Sequence, residues 1–165
     1  MGIATFLLML RNSVTLAALT CATTVGIYLR GQSQDRDIAA ARNAMAFKSA
    51  ELESVPFRRA FALFNQIPHD DPEGPFTSPG PRFDVPGSPS AKGRIEFPSD
   101  AVGQLRENLP TAWARVPRDL NADGAIDGLD HAGDYAVLPI RLVIEWRGPD
   151  GVRRLEKVVT LTESP

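Results

Sequence analysis

The stretch VLPIRLVIEWRGPDGVRRLEKVVTLT, Val137 to Thr162, decides the fold. Ile140, Leu142, Ile144 and Trp146 alternate with Arg141, Val143, Glu145 and Arg147, the two-residue period of a strand with one buried face. Gly148-Pro149-Asp150-Gly151 reads as a turn. Arg153 to Thr162 then returns with Leu155, Val159 and Leu161 on one face. The expectation is an antiparallel hairpin whose apolar face needs a cover.

The cover lies upstream. Arg30 to Glu53 has no proline and a single glycine, Gly31, at its start, and is rich in good helix formers. Ile38, Ala41, Met45, Lys48 and Leu52 recur at helical spacing, with Phe47 beside them. Val55-Pro56 breaks or kinks this rod. A short second helix is expected over Phe57 to Gln66, with Phe57, Ala60, Phe61 and Phe64 on its core side. Only the rod is long enough to cover the hairpin, so the class is α+β: a long N-terminal helix on a small antiparallel sheet. Between them, Ile67 to Gly93 is crowded with Pro, Gly, Asp and Ser and reads as an irregular loop, with a short edge strand at Phe83 and Val85. Arg94 to Phe97 reads as a strand ended by Pro98, and Asp100 to Asn108 as a short helix with Val102 and Leu105 inward.

Further upstream the chain turns apolar. Ile3 to Leu10 carries no charge, Arg11-Asn12-Ser13 interrupts, and Val14 to Leu29 is again uncharged. That second segment is slightly short of the ~20 residues that span hydrocarbon. A helix continuing through Arg11 lengthens it, because a long side chain near one end can snorkel. Three readings compete: a cleaved secretory signal, a lipoprotein signal ending at Cys21, and a retained membrane helix that runs on into the polar rod. The helical character of Arg30 to Glu53 favours the third. Arg11 and Arg30 flank the segment symmetrically and give no orientation.

Bulk properties exclude several classes. The 165 residues suit one modest domain plus an appendage. A net charge of −2 with interspersed signs offers no basic field for nucleic acid. The lone Cys21 permits no intrachain disulfide, and no Cys/His zinc spacing occurs. His69 and His131 both lie in loop sequence and read as solvated. No catalytic constellation emerges, so neither an enzyme nor a small-molecule substrate is expected.

One motif stands out: DLNADGAIDGLD, Asp119 to Asp130. An EF-hand or dockerin-like loop supplies oxygens from positions one, three and five, a backbone carbonyl at seven, often a water through nine, and an acid at twelve. Asp119, Asn121, Asp123, Ala125, Asp127 and Asp130 occupy those positions, with Gly124 at the sharp turn and Ile126 as apolar anchor. Oxygen ligands in that number suit calcium. The same spacing also fits an Asp/Asn-Gly turn with no ion. Asp130 is one methylene shorter than the usual glutamate, which lowers the expected affinity. Pro117 before the loop and Gly133 after it leave no helix pair to open, so the ion is expected as a structural clip in a domain without disulfides.

Ser13-Val14-Thr15-Leu16-Ala17-Ala18-Leu19-Thr20 resembles the processing and helix-opening segment of type IV pilins and the pseudopilins of type II secretion. Thr15 and Leu16 match that pattern, Ser13 stands at its usual glycine and Ala18 at its glutamate. Phe97-Pro98, Pro117 to Asp127, Asp134 to Arg141 and Trp146 to Gly151 are similar, in this order, to segments of minor-pilin-like proteins. The resemblance implies a pilin-like fold, cleavage between Ser13 and Val14, and three parts. These are a leader over 1–13, a membrane and assembly helix over 14–66 kinked near 55–56, and an extracytoplasmic β-rich domain over 67–165 containing the loop 119–130. It further implies a non-enzymatic minor subunit of a pilus or secretion filament. Such a subunit sits in the inner membrane and contacts other pilin-like subunits through its N-terminal helix. The alternative expectation is a membrane- or lipid-anchored extracytoplasmic calcium-binding module that enters no filament.

Overall fold

A computed structural model describes residues 32–163. Helix α1 covers residues 32–54 and is followed by a four-stranded antiparallel sheet. A 3-10 turn at Phe57–Arg59 leads into the short helix α2, Ala60–Phe64. The strands are β1 (Arg82–Asp84), β2 (Lys92–Glu96), β3 (Val137–Gly148) and β4 (Gly151–Thr162), in spatial order β1-β2-β3-β4.

The hairpin forms as its alternation dictates. β3 and β4 pair in unbroken register from Gly148 opposite Gly151 to Val137 opposite Thr162. Ile140, Leu142 and Ile144 are fully buried and Trp146 nearly so. They face α1, which turns Ala41, Ala44, Met45 and Leu52 inward at three-, four- and seven-residue steps. Two of these four residues are alanine, which lets the helix approach the sheet closely. α2 adds Ala60, Phe61 and Phe64 to the same cluster, and Phe61 meets Phe97 edge to face at 5.0 Å. Lys48 lays its stem across this boundary, with Nζ 5.7 Å from the Phe64 ring and 5.3 Å from the Phe83 ring.

The opposite face of the sheet is charged. Arg94 pairs with Glu145 at 3.1 Å, Arg141 donates from Nε to Glu96 at 2.7 Å, and Arg154 pairs with Glu156 at 2.6 Å. Val143 stands among them, fully buried, between Arg94 of β2 and Glu156 of β4. The Arg141 guanidinium also stacks 4.9 Å from the Trp113 ring, which hangs over this face from a 3-10 turn at Ala112–Ala114.

Several expectations are corrected. The pilin-like fold, with a helix apolar in its first half, is not what the described residues show: none of their helices is long and apolar enough to cross a membrane. Residues 32–54 carry Asp35, Arg36, Asp37, Arg42, Lys48, Glu51 and Glu53, and so form an amphipathic cover for a sheet, not a span. The apolar segment Val14 to Leu29 and the processing pair Ser13 and Val14 lie outside the described residues. The break at Val55-Pro56 is present, since α1 ends at residue 54, where Ser54 Oγ donates to the Glu51 carbonyl at 2.8 Å. The helix expected over Asp100 to Asn108 does not form. Asp100 instead accepts from the backbone nitrogens of Val102 and Gln104, both at 3.0 Å, and folds the segment into a turn closed by a Ser99–Leu105 bridge.

Candidate metal centre

Two leucines fix the frame of the Asp119–Asp130 loop. Leu105 and Leu120 are both fully buried in the main core. The Leu105 carbonyl accepts from the His131 nitrogen at 2.8 Å, and the Leu120 carbonyl accepts from Ala136 and Val137 at 2.7 and 2.9 Å. One end of the loop is thereby tied to the start of β3 and the other to Leu105. From outside, Arg106 pairs with Asp100 at 2.6 Å and donates to the Gly128 carbonyl.

Between these anchors sits Glu107, 1% exposed. Its Oε1 accepts from the backbone nitrogens of Leu120 and, at 3.0 Å, Asn121; its Oε2 accepts from that of Asp127 at 3.3 Å. A buried carboxylate satisfied by backbone donors is charge-assisted hydrogen bonding at its most effective. It clamps the two halves of the loop onto one side chain.

His131, 2% exposed, lies beside it. Its Nε2 is 3.1 Å from Asp127 Oδ1 and 3.8 Å from Glu107 Oε2, while Nδ1 is 3.1 Å from Asp134 Oδ1. Burial is the largest influence on its pKa and pulls it down. Hydrogen bonds to Asp127 and Asp134, with the charge of Glu107, outweigh that and leave it raised. Asp127 is held low, first by the Leu129 backbone N–H and then by His131 against some desolvation.

Glu107, Asp127 and His131 could hold a metal ion: one ligand atom from each lies within 4.8 Å of the others. Around an ion with bonds of ~2.0–2.2 Å, neighbouring ligand atoms stand roughly 3.0–3.5 Å apart. The observed 3.1 and 3.8 Å from His131 Nε2 bracket that spacing, and the two carboxylate oxygens lie within 4.8 Å of each other. A cation taken through Nε2 displaces the proton from that nitrogen.

The other sequence-predicted ligands are placed as follows. Asp119 accepts from Ala122 and Gly124, the latter at 2.8 Å, and Asp123 from Ala125 at 2.8 Å. These are the turns of an Asx-rich loop, with Gly124 at φ 88° supplying the sharp bend expected of it. The Asn121 amide nitrogen lies 3.2 Å from Asp123 Oδ2 and 3.3 Å from Asp134 Oδ2. Asp130 instead accepts from the nitrogens of Leu105 and Ala132, at 3.0 and 3.2 Å. Of the predicted ligands, Asp127 alone belongs to the buried group.

Two readings of the sequence change here. His131 is buried, not solvated, and Ile126 is 52% exposed, so it anchors nothing. Without a helix pair to close over position eight, Leu120 at position two takes the inward place. Glu107 was invisible as a ligand, because nothing in its own neighbourhood marks it. His131 had a signal, with acids at Asp127 and Asp134, four residues before it and three after. No protein-family model, no curated protein and no solved structure matches the chain.

Proposed function

We propose that the chain is an anchored, non-catalytic extracytoplasmic module whose binding loop is stapled by a divalent cation. The observation that carries this is the buried Glu107–Asp127–His131 group with ligand spacing close to that of a bound ion. Both Glu107 oxygens are already engaged by the loop's own backbone. A cation there locks the loop instead of activating water. Attachment is read from the uncharged stretch Val14 to Leu29.

An imidazole nitrogen with two carboxylates favours a borderline cation of the zinc type over calcium. A second reading, calcium held by oxygens alone, is favoured by the approach of Asn121 to Asp123 and Asp134. It retains the sequence expectation for Asp119, Asn121 and Asp123 and suits a calcium-rich compartment.

Titration calorimetry and melting of chelator-treated full-length protein with zinc and with calcium test both. His131→Ala weakens zinc binding at least tenfold and leaves calcium unaffected if the buried group is the site. Asp123→Ala does the reverse if the oxygen-only loop is the site. A protein whose melting temperature responds to neither cation overturns the staple.

A further inference from the structure

We infer that β4 pairs with β4 of a second copy of the chain, joining two four-stranded sheets into one of eight strands. Among the described residues no strand lies beyond β4, which runs twelve residues along the rim of the sheet. Such an edge is a template for another strand unless something blunts it. The other edge, β1, is only three residues long.

The hydrogen-bond parity of the hairpin says which residues of β4 are available. The Glu163 nitrogen donates to the Ala136 carbonyl, and Gly151 is opposite Gly148 across a two-residue turn. Odd-numbered residues therefore bond to β3. The N–H and C=O groups of Val152, Arg154, Glu156, Val158 and Thr160 point away from the sheet.

Antiparallel self-pairing must match even residues with even residues, and one register is self-complementary. With the two-fold axis at Leu155, Arg154 lies opposite Glu156 of the second copy twice over, and Val152 lies opposite Val158 twice over. The two valines are 73% and 47% exposed in the single chain, so pairing covers apolar surface that is otherwise wet. A shift of one step either way sets Arg154 against Arg154 or Glu156 against Glu156, which like-charge repulsion disfavours. On the inner face Leu155 meets Leu155. Arg153 comes opposite Lys157, but its guanidinium is drawn back to Asp150 of its own turn at 3.3 Å.

Disulfide trapping in the full chain, with Cys21→Ser as background, tests this. Leu155→Cys places two thiols across the axis and gives a covalent dimer under mild oxidant. Thr160→Cys leaves its thiols roughly 34 Å apart, ten residues of offset at ~3.4 Å each, and gives none. Glu156→Arg slows trapping at position 155 at least tenfold, and adding Arg154→Glu restores it. The restoration separates lost pairing from lost folding. Absence of trapping at 155, equal trapping at 155 and 160, or trapping indifferent to the charge reversal overturns the inference.

Discussion

Glu107 Oε1 stands 3.0 Å from the backbone nitrogen of Asn121, fourteen residues further along the chain. This contact turns an acidic, glycine-containing loop into a fixed structure. Three backbone N–H groups end on one carboxylate that is shut away from water. Glu107→Gln keeps one acceptor oxygen but turns an NH2 group toward N–H donors. The expected cost is about 2–3 kcal/mol, because a charged buried acceptor is lost and its donors are left poorly paired. Urea denaturation at neutral pH measures it, and an unchanged midpoint would remove Glu107 from the role of clamp.

Tyr135 performs the matching task at the other end of the site. It is fully buried, and its hydroxyl donates to the Phe57 carbonyl at 2.7 Å and accepts from the Phe61 nitrogen at 3.4 Å. Its ring meets Phe57 edge to face at 4.9 Å. The hydroxyl thus binds the junction of the 3-10 turn and α2 to the start of β3. Tyr135→Phe keeps the ring contacts and strands the Phe57 carbonyl, for an expected loss of about 1–2 kcal/mol. Hydrogen exchange should show the loss locally, with faster exchange of the Phe61 amide.

The contrast between these two residues shows what a sequence can disclose. Periodicity exposes whatever is repeated, so the β3–β4 hairpin, its buried face and the inward stripe of α1 were all legible. The turn at Gly124 was legible because backbone sterics allow few residues there. Glu107 and Tyr135 act singly, on partners 14 and 78 residues away, and leave no period to detect. The segment around Asp100 failed for a related reason. Its helical spacing at Val102 and Leu105 was real, but the Asp100 carboxylate offered the backbone a competing turn.

The charged face of the sheet sets a pH response. Burial is the largest influence on Glu96 and pushes its carboxyl up. Hydrogen bonds and charge from Arg94 and Arg141 outweigh it and hold the pKa below its ordinary value. Glu145 is lowered too, chiefly by its hydrogen bond to Arg94. A carboxyl whose pKa is lower folded than unfolded adds stability that is fully present above the unfolded value. That stability is lost as pH falls through the folded one. The contribution of these two carboxyls to the urea midpoint should therefore hold from neutrality to about pH 5 and decline below the ordinary glutamate range, ~4.3. Glu96→Gln should cost about 1–2 kcal/mol at pH 7 and progressively less toward pH 3. A constant difference between the two proteins across that range would assign the loss to packing instead of charge.

Gly93 of β2 tests how closely the edge of the sheet is packed. A Cβ added there would stand 2.2–2.5 Å from three atoms of the Phe83 ring, inside any tolerable contact. The ring lies across the strand opposite Gly93 and under the Lys48 ammonium at 5.3 Å, so moving it also disturbs the link to α1. Gly93→Ala should therefore destabilise by about 1–3 kcal/mol, although alanine ordinarily favours a strand no less than glycine. The cause is steric and local, so Phe83→Leu in the same chain should recover part of the loss. A double-mutant cycle on the denaturation free energies should give a coupling of at least ~1 kcal/mol. Additive losses would mean that Gly93 is required by the backbone of β2 and not by the ring above it.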